Sequence, residues 1–254
     1  MNGAGTPHVA LRGGADALRV DAVTKRFGGL RVFEDISLEI PCGGIVGVIG
    51  PNGAGKTTLI NVICGMLAPS GGRILLGQQN ITGRSFHVVS RLGVVRSFQQ
   101  TNTFSSVSVE ENLYRAQRFS AGRSGGDLGI AGLMEEFGLA RHLHEPSAML
   151  PYGLQKMLGL VMVLAARPRF LLLDEPAAGL ERRERIQIDR FVGHAREQLG
   201  CGILVVEHDM DLVRRICPHI IVLEAGRVLA EGQPAEVLSR REVIDAYLGA
   251  SEDE

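Results

Sequence analysis

Ile45-Val-Gly-Val-Ile49, continuing into Gly50-Pro-Asn-Gly-Ala-Gly-Lys56-Thr57-Thr58, is the stretch that decides the fold. The first part is apolar and bounded by glycines, the composition of a short strand buried on both faces. Gly50–Thr57 fits G-x-x-x-x-G-K-[ST], a loop between a strand and a helix whose backbone N–H groups face phosphate oxygens. Glycines at 50, 53 and 55 let the chain wrap close to that anion. A helix expected from about Gly55 to Met66 turns its positive N-terminal end the same way. Lys56 would reach the β- and γ-phosphates, and Thr57 would offer its hydroxyl to Mg2+. These residues imply a nucleotide site.

Farther along, Phe170-Leu-Leu-Leu-Asp174-Glu175-Pro176 is a second buried-type strand, ending in two carboxylates. In open α/β sheets, ligand groups sit at the C-terminal ends of strands. Asp174 is therefore a candidate for Mg2+, directly or through water. Glu175, one residue on, points elsewhere and can polarise an attacking water. Alone, Asp-Glu-Pro reads equally as a turn; the phosphate loop upstream makes it a metal and catalytic pair. Val205-Val206-Glu207-His208 repeats the layout. An isolated His of this kind is more often structural, but this one falls where a γ-phosphate is expected. Gln99, after the strand Val94–Phe98, is placed similarly.

Outward from these motifs, strand and helix signals alternate. Leu18–Val23, the alternating Ile36, Leu38 and Ile40, Arg73–Gly77 and Gly93–Phe98 read as strands. From about Gln99 to Arg169 the strand signals stop. Val107–Phe119, Leu128–Leu139 and Gly153–Ala166 read there as helices, with a Gly-rich break at Ser120–Gly126. Strands return at Phe170–Leu173, Ile203–Val206 and His219–Leu223, separated by helices Glu181–Leu199 and Asp209–Ile216. A helical tail covers Pro234–Leu248. Such alternation implies a mainly parallel α/β core sheet, with antiparallel β elements at the N-terminus. The expected organisation is a disordered leader over 1–16 and one domain over 17–249. Its core (17–98 and 167–249) carries an inserted helical subdomain at 99–166, and 250–254 form an acidic tail.

Composition narrows the function classes. Against 28 Asp+Glu, the 27 Lys+Arg leave a net charge of −1, so a net-basic nucleic-acid binder is not suggested. Lysine occurs only at 25, 56 and 156. No apolar run approaches the ~20 residues that span a bilayer, and no secretory h-region opens the chain. Cys42, Cys64, Cys201 and Cys217 never approach Cys-x-x-Cys spacing, which argues against a zinc site or disulfide framework and for a reducing cytosol. Glu181–Arg185 reads as a solvated helix start with ion pairs along the helix, and Arg115–Arg123 as a solvated face. His142 and His144 lack the pattern of a metal site.

Taken in order, the loop 50–58, Gln99, the region 150–155, Asp174-Glu175, Ala178-Gly-Leu-Glu181 and His208 resemble the ATP-binding cassette (ABC) family, from Leu18 to Leu248. Five segments are similar to the ATPase subunits of branched-chain amino-acid importers. They are Arg26-Phe-Gly-Gly-Leu30, Arg96-Ser-Phe-Gln99, Asp174-Glu-Pro-Ala-Ala-Gly179, Val206-Glu-His-Asp-Met210 and Ala246-Tyr-Leu-Gly249. The resemblance implies an ATPase whose cofactors are ATP and Mg2+. It makes Phe27 the ring that stacks on adenine, which needs only the ring face; a core Phe is the other reading. Gly50, Asn52, Gly53, Ala54, Gly55, Lys56, Thr57 and Thr58 become the phosphate cradle. Thr57, Gln99 and Asp174 become the metal ligands, and Glu175, Gln99 and His208 the catalytic group.

The family signature Leu-Ser-Gly-Gly-Gln stands here as Leu150-Pro151-Tyr152-Gly153-Leu154. In the family this segment binds the γ-phosphate of the opposite subunit's ATP. Pro151 removes a hydroxyl and an N–H but suits a helix start, and Gly153 with the dipole of the following helix remains. Glu181 stands where the family usually has Asp, and Met162 where it commonly has Arg. By the resemblance, the chain sits peripherally at the cytoplasmic face of the membrane. It energises a permease and pairs with a second ABC ATPase subunit, a related cassette rather than itself, with no nucleic acid involved. A non-transport or export ABC ATPase is the alternative. A switch GTPase would need an Asn-Lys-x-Asp-like element, which the lysine positions exclude.

Overall fold

Phe27 and Leu30 face each other across Gly28-Gly29, so β1 (Ala17–Phe27) and β2 (Leu30–Pro41) close an antiparallel hairpin. Gly28 takes the positive φ, 56°, that so tight a turn requires. The computed structural model describes residues 16–97, 103–118 and 128–249. After the hairpin come β3 (Ile45–Ile49), α1 (Lys56–Ile63), β4 (Gly71–Leu76), β5 (Gln79–Asn80), α2 (Phe86–Arg91) and β6 (Val94–Arg96). Then follow α3 (Val109–Arg118), α4 (Ile130–Glu136), α5 (Tyr152–Ala165), β7 (Phe170–Asp174) and α6 (Arg185–Leu199). The chain continues through β8 (Gly202–Val206), α7 (Met210–Ile216), β9 (His219–Glu224), β10 (Arg227–Gly232), α8 (Pro234–Val237) and α9 (Arg241–Gly249).

Two sheets result. The four-stranded one, in the order β2-β1-β4-β5, is antiparallel; the six-stranded one runs β10-β9-β3-β8-β7-β6. In the second sheet β3, β6, β7, β8 and β9 are parallel, and only β10 pairs antiparallel at the edge. Its strands β3, β7 and β8 are buried along their whole length, and their alternation divides the core. Ile45, Ile49, Leu171, Leu173, Ile203 and Val205 face the helices α5, α6 and α7. Val46, Val48, Phe170, Leu172, Leu204 and Val206 face the antiparallel sheet and α1. Each fully buried Val, Leu or Ile contributes about 1.5–3 kcal/mol, and a one-residue slip would exchange the two faces. The register is therefore held, and with it the strand ends.

Several expectations change. The helix expected from Glu181 starts only at Arg185, because the Glu184 carboxylate accepts from the Glu181 N–H at 2.9 Å and closes a turn first. The expected tail Pro234–Leu248 is two helices; Ser239 Oγ donates to the Glu236 carbonyl at 2.7 Å, between them. β5, α2 and β10 lack a sequence expectation altogether. Between β6 and β7 the described residues contain no strand beyond the Ser108–Pro146 bridge. Residues 1–15 and 250–254, Gln99 and the Gly-rich break at 120–126 lie outside the described residues. Among the described residues, no helix is long and apolar enough to cross a membrane.

Candidate nucleotide site

The loop after β3 has little choice of residue at its first position. Gly50 has φ 150°, and a Cβ there would stand 2.1 Å from the Leu223 carbonyl oxygen of β9. Gly53 (φ 78°) and Gly55 (φ 97°) are also left-handed, and Gly55 is the residue from which α1 starts. Ala54 is buried beneath the loop, and Asn52 and Gly53 form its exposed tip. Lys56 is buried and its ammonium arcs back over the loop, donating to the Gly50 carbonyl at 2.7 Å and the Pro51 carbonyl at 2.9 Å. Burial lowers its pKa, against the opposing pull of the Glu175 and Asp174 charges. Thr58 follows Thr57 in the first turn of α1, half-buried.

β7 brings Asp174 to this loop. Thr57 Oγ1 donates to Asp174 Oδ1 at 3.4 Å, and Arg96 Nη2 donates to Asp174 Oδ2 at 2.8 Å. Arg96 also binds the Asn61 side chain, which ties β6 to α1. Burial raises the pKa of Asp174, while the Arg96 guanidinium lowers it. Glu175 then takes a left-handed conformation, φ 47°, rare for a residue with a Cβ. Its N–H donates to the Val206 carbonyl at 2.9 Å, fastening the turn to β8.

β8 supplies the third side. His208 Nδ1 lies 4.0 Å from Glu175 Oε1, and its ring is largely exposed. The preceding Glu207 is fully buried and accepts three backbone N–H groups, from Ala177 at 2.8 Å, His208 at 3.2 Å and Asp209 at 3.4 Å. Burial raises its pKa, and those N–H groups work against the rise. Lys56, Thr57, Asp174, Glu175 and His208 thus converge at the C-terminal ends of β3, β7 and β8.

Phe27 sits on the antiparallel sheet, at the end of β1. Its ring is half exposed, so it is no core residue, and the Lys25 ammonium stands 4.5 Å from its centroid. Leu150–Gly153 form a separate group that opens α5. Leu150 is buried, Pro151 is the cap residue rather than the first helical one, and Tyr152 is exposed. Glu184 lies so close that a Cβ on Gly153 would meet its carboxylate at 2.1 Å. His142 and His144 lie beside Glu145 and Glu110, and no metal-binding cluster exists among the described residues. Sequence reasoning gave no role to Arg96 or Glu207. Their signal was present, since a charge inside an apolar strand-end pattern demands a buried partner.

Comparison with known proteins places the chain among ATP-binding cassettes. The family model described as ABC transporter matches residues 33–178, and one described as branched-chain amino acid ATP-binding cassette transporter matches 227–253. The high-affinity branched-chain amino acid transport ATP-binding protein LivG of Escherichia coli (strain K12) is 37% identical over 248 residues, spanning 91% of this chain and 97% of its own. The lipopolysaccharide export system ATP-binding protein LptB of the same strain is 32% identical over 229 residues, spanning 89% and 95%. Among solved structures, an ATP-binding cassette of an ABC transporter in its ADP conformation superposes with a TM-score of 0.81 at 27% identity. It covers 92% of this chain and 99% of its own.

Proposed function

The chain belongs to the ABC transporter family as an ATP-binding, ATP-hydrolysing cassette, and on that premise we propose that it powers import of branched-chain amino acids or closely related solutes. One observation carries the substrate class: residues 227–253 match the family model described as branched-chain amino acid ATP-binding cassette transporter. The export relative is less similar over a shorter span, 32% against 37%. Import is the better supported direction.

We further propose the roles of the site residues. ATP lies with its adenine on the Phe27 ring and its phosphates in the cradle Gly50, Asn52, Gly53, Ala54, Gly55, Lys56, Thr57 and Thr58. The Thr57 hydroxyl and the Asp174 carboxylate, 3.4 Å apart, are hard oxygen donors of the kind Mg2+ prefers. With Gln99, which lies outside the described residues, they would hold that ion. When bound, Mg2+ neutralises charge building on the β- and γ-phosphates. Glu175 takes the proton of a water attacking the γ-phosphorus as the bond to the β–γ bridging oxygen breaks. His208, beside Glu175, contacts the γ-phosphate.

Leu150, Pro151, Tyr152 and Gly153 meet the γ-phosphate held by a second cassette. Pro151 has no hydroxyl to offer, which supports pairing with a related cassette that supplies a fuller signature to this chain's own ATP. We assign the groove near Gln99 and Thr103–Val109 to contact with the permease, at the cytoplasmic membrane face. The test is reconstitution in proteoliposomes with the permease, a partner cassette and a substrate-loaded binding protein. Leucine, isoleucine or valine should stimulate ATP hydrolysis several-fold. Stimulation by none of them, with another solute class active, would overturn the substrate assignment.

A further inference from the structure

Of the three lysines, Lys25 lies over Phe27 and Lys56 closes the phosphate loop, which leaves Lys156. It is the one charged residue of α5. It occupies the helix face shared with Gly153, Leu160 and Leu164, all buried, and is itself only 6% exposed. Space-filling alone would favour Met or Leu there, because an ammonium taken out of water costs several kcal/mol unless partnered. The partners are specific. Lys156 Nζ donates to the backbone carbonyl of Glu175 at 3.3 Å and, more closely, to that of Ala178. Between these carbonyls, the Ala177 N–H is taken by the buried Glu207 carboxylate at 2.8 Å. A buried cation and a buried anion therefore grip one short turn through its carbonyls and its amide.

That turn is the strained one. A left-handed, non-glycine backbone is unfavourable and persists only where its surroundings over-determine it. Glu175 has φ 47°.

We propose that Lys156 is a positioning residue for ATP hydrolysis, holding the Glu175–Ala178 turn so that Glu175 keeps its left-handed backbone and its carboxylate stays aimed at the attacking water. This rests on the assignment of Glu175 as the base. Lys156 lies one turn beyond Gly153 on the same helix, so the clamp also ties the signature segment of this chain to the base of its own site. ATP binding, which depends on the Gly50–Thr58 loop, does not pass through Lys156.

The test compares Lys156→Met, Lys156→Gln and Lys156→Arg, each with and without Glu175→Gln, in the transporter assembled with its permease and partner cassette. Lys156→Met should lower kcat on the order of 10–10²-fold, the scale of a misplaced catalytic group. ATP affinity by calorimetry should stay within about threefold, and amide exchange at Ala177 should quicken about tenfold, because the turn has lost its clamp. Lys156→Arg, which keeps a buried cation, should recover most of kcat. In the Glu175→Gln background Lys156→Met should add nothing further, as expected of residues acting as a unit. Should Lys156→Met fail to fold, Lys156→Gln takes its place; it is one bond too short to span both carbonyls, and the same loss is expected. Wild-type kcat in folded Lys156→Met or Lys156→Gln, affinity falling in step with kcat, or full additivity with Glu175→Gln would each overturn the proposal. Wild-type turnover in Glu175→Gln alone would instead overturn the assignment of the base.

Discussion

Arg96 Nη2 stands 2.8 Å from Asp174 Oδ2 with both side chains buried, and this pair joins the carboxylate at the end of β7 to the neighbouring strand β6. Two solvent-excluded charges are tolerable only together. Arg96→Met should leave the Asp174 carboxylate buried without its cation and cost about 3–5 kcal/mol of stability, read from the denaturant midpoint. A loss below about 1 kcal/mol would mean that the pair is not formed in solution.

Lys56→Ala removes the ammonium poised over the phosphate loop. Loss of a charge-assisted contact to phosphate should weaken ATP binding by about 1.5–3 kcal/mol, roughly 10- to 150-fold in Kd by calorimetry. Unchanged affinity would place the phosphates elsewhere.

Gly50→Ala asks for a Cβ 2.1 Å from the Leu223 carbonyl, on a backbone at φ 150°. β9 cannot withdraw without breaking its parallel pairing with β3. The variant should lose ATP binding together with thermal stability, whereas Gly53→Ala, whose Cβ meets nothing within 4 Å, should lose less of both. Equal behaviour of the two variants would contradict the close approach at Gly50.

Asp209 gives the pH dependence a sign. Burial works to raise its pKa, but the Leu212 N–H, the Arg185 guanidinium at 2.5 Å and the Asp211 N–H outweigh it and leave the pKa lowered. A carboxylate with a lowered folded-state pKa contributes stability that is fully present above its unfolded pKa of about 3.9 and is lost as pH falls through the folded value. Asp209→Ala should therefore cost about 1–2 kcal/mol near neutral pH, the worth of a helix cap. The difference from wild type should shrink in acid below about pH 4. A gap that widens toward acid would reverse the assignment.

Much of the fold was legible because its strands are short apolar runs bounded by glycine or by strand-end charges. The Gly50–Thr57 pattern, Asp174-Glu175 and His208 each marked the end of such a run, and the parallel sheet brings those ends together. What escaped depends on long-range packing. Arg96 and Asp174 are 78 positions apart, so nothing local in Val94-Val-Arg96 names the partner. β10 is an edge strand of mixed polarity, and only its pairing with β9 marks it as one. Glu181–Glu184 has the composition of a helix start, but a side chain satisfies the backbone there and delays the helix. Lys156 and Glu207 needed the turn between them to be visible.

Glu175, at the end of β7 and beside His208, is proposed to perform the proton transfer of ATP hydrolysis. The decisive measurement is phosphate release from the assembled transporter carrying Glu175→Gln, with ATP affinity taken on the same preparation. Turnover should fall on the order of 10²–10⁴-fold at an affinity close to wild type. Turnover at the wild-type rate would contradict it.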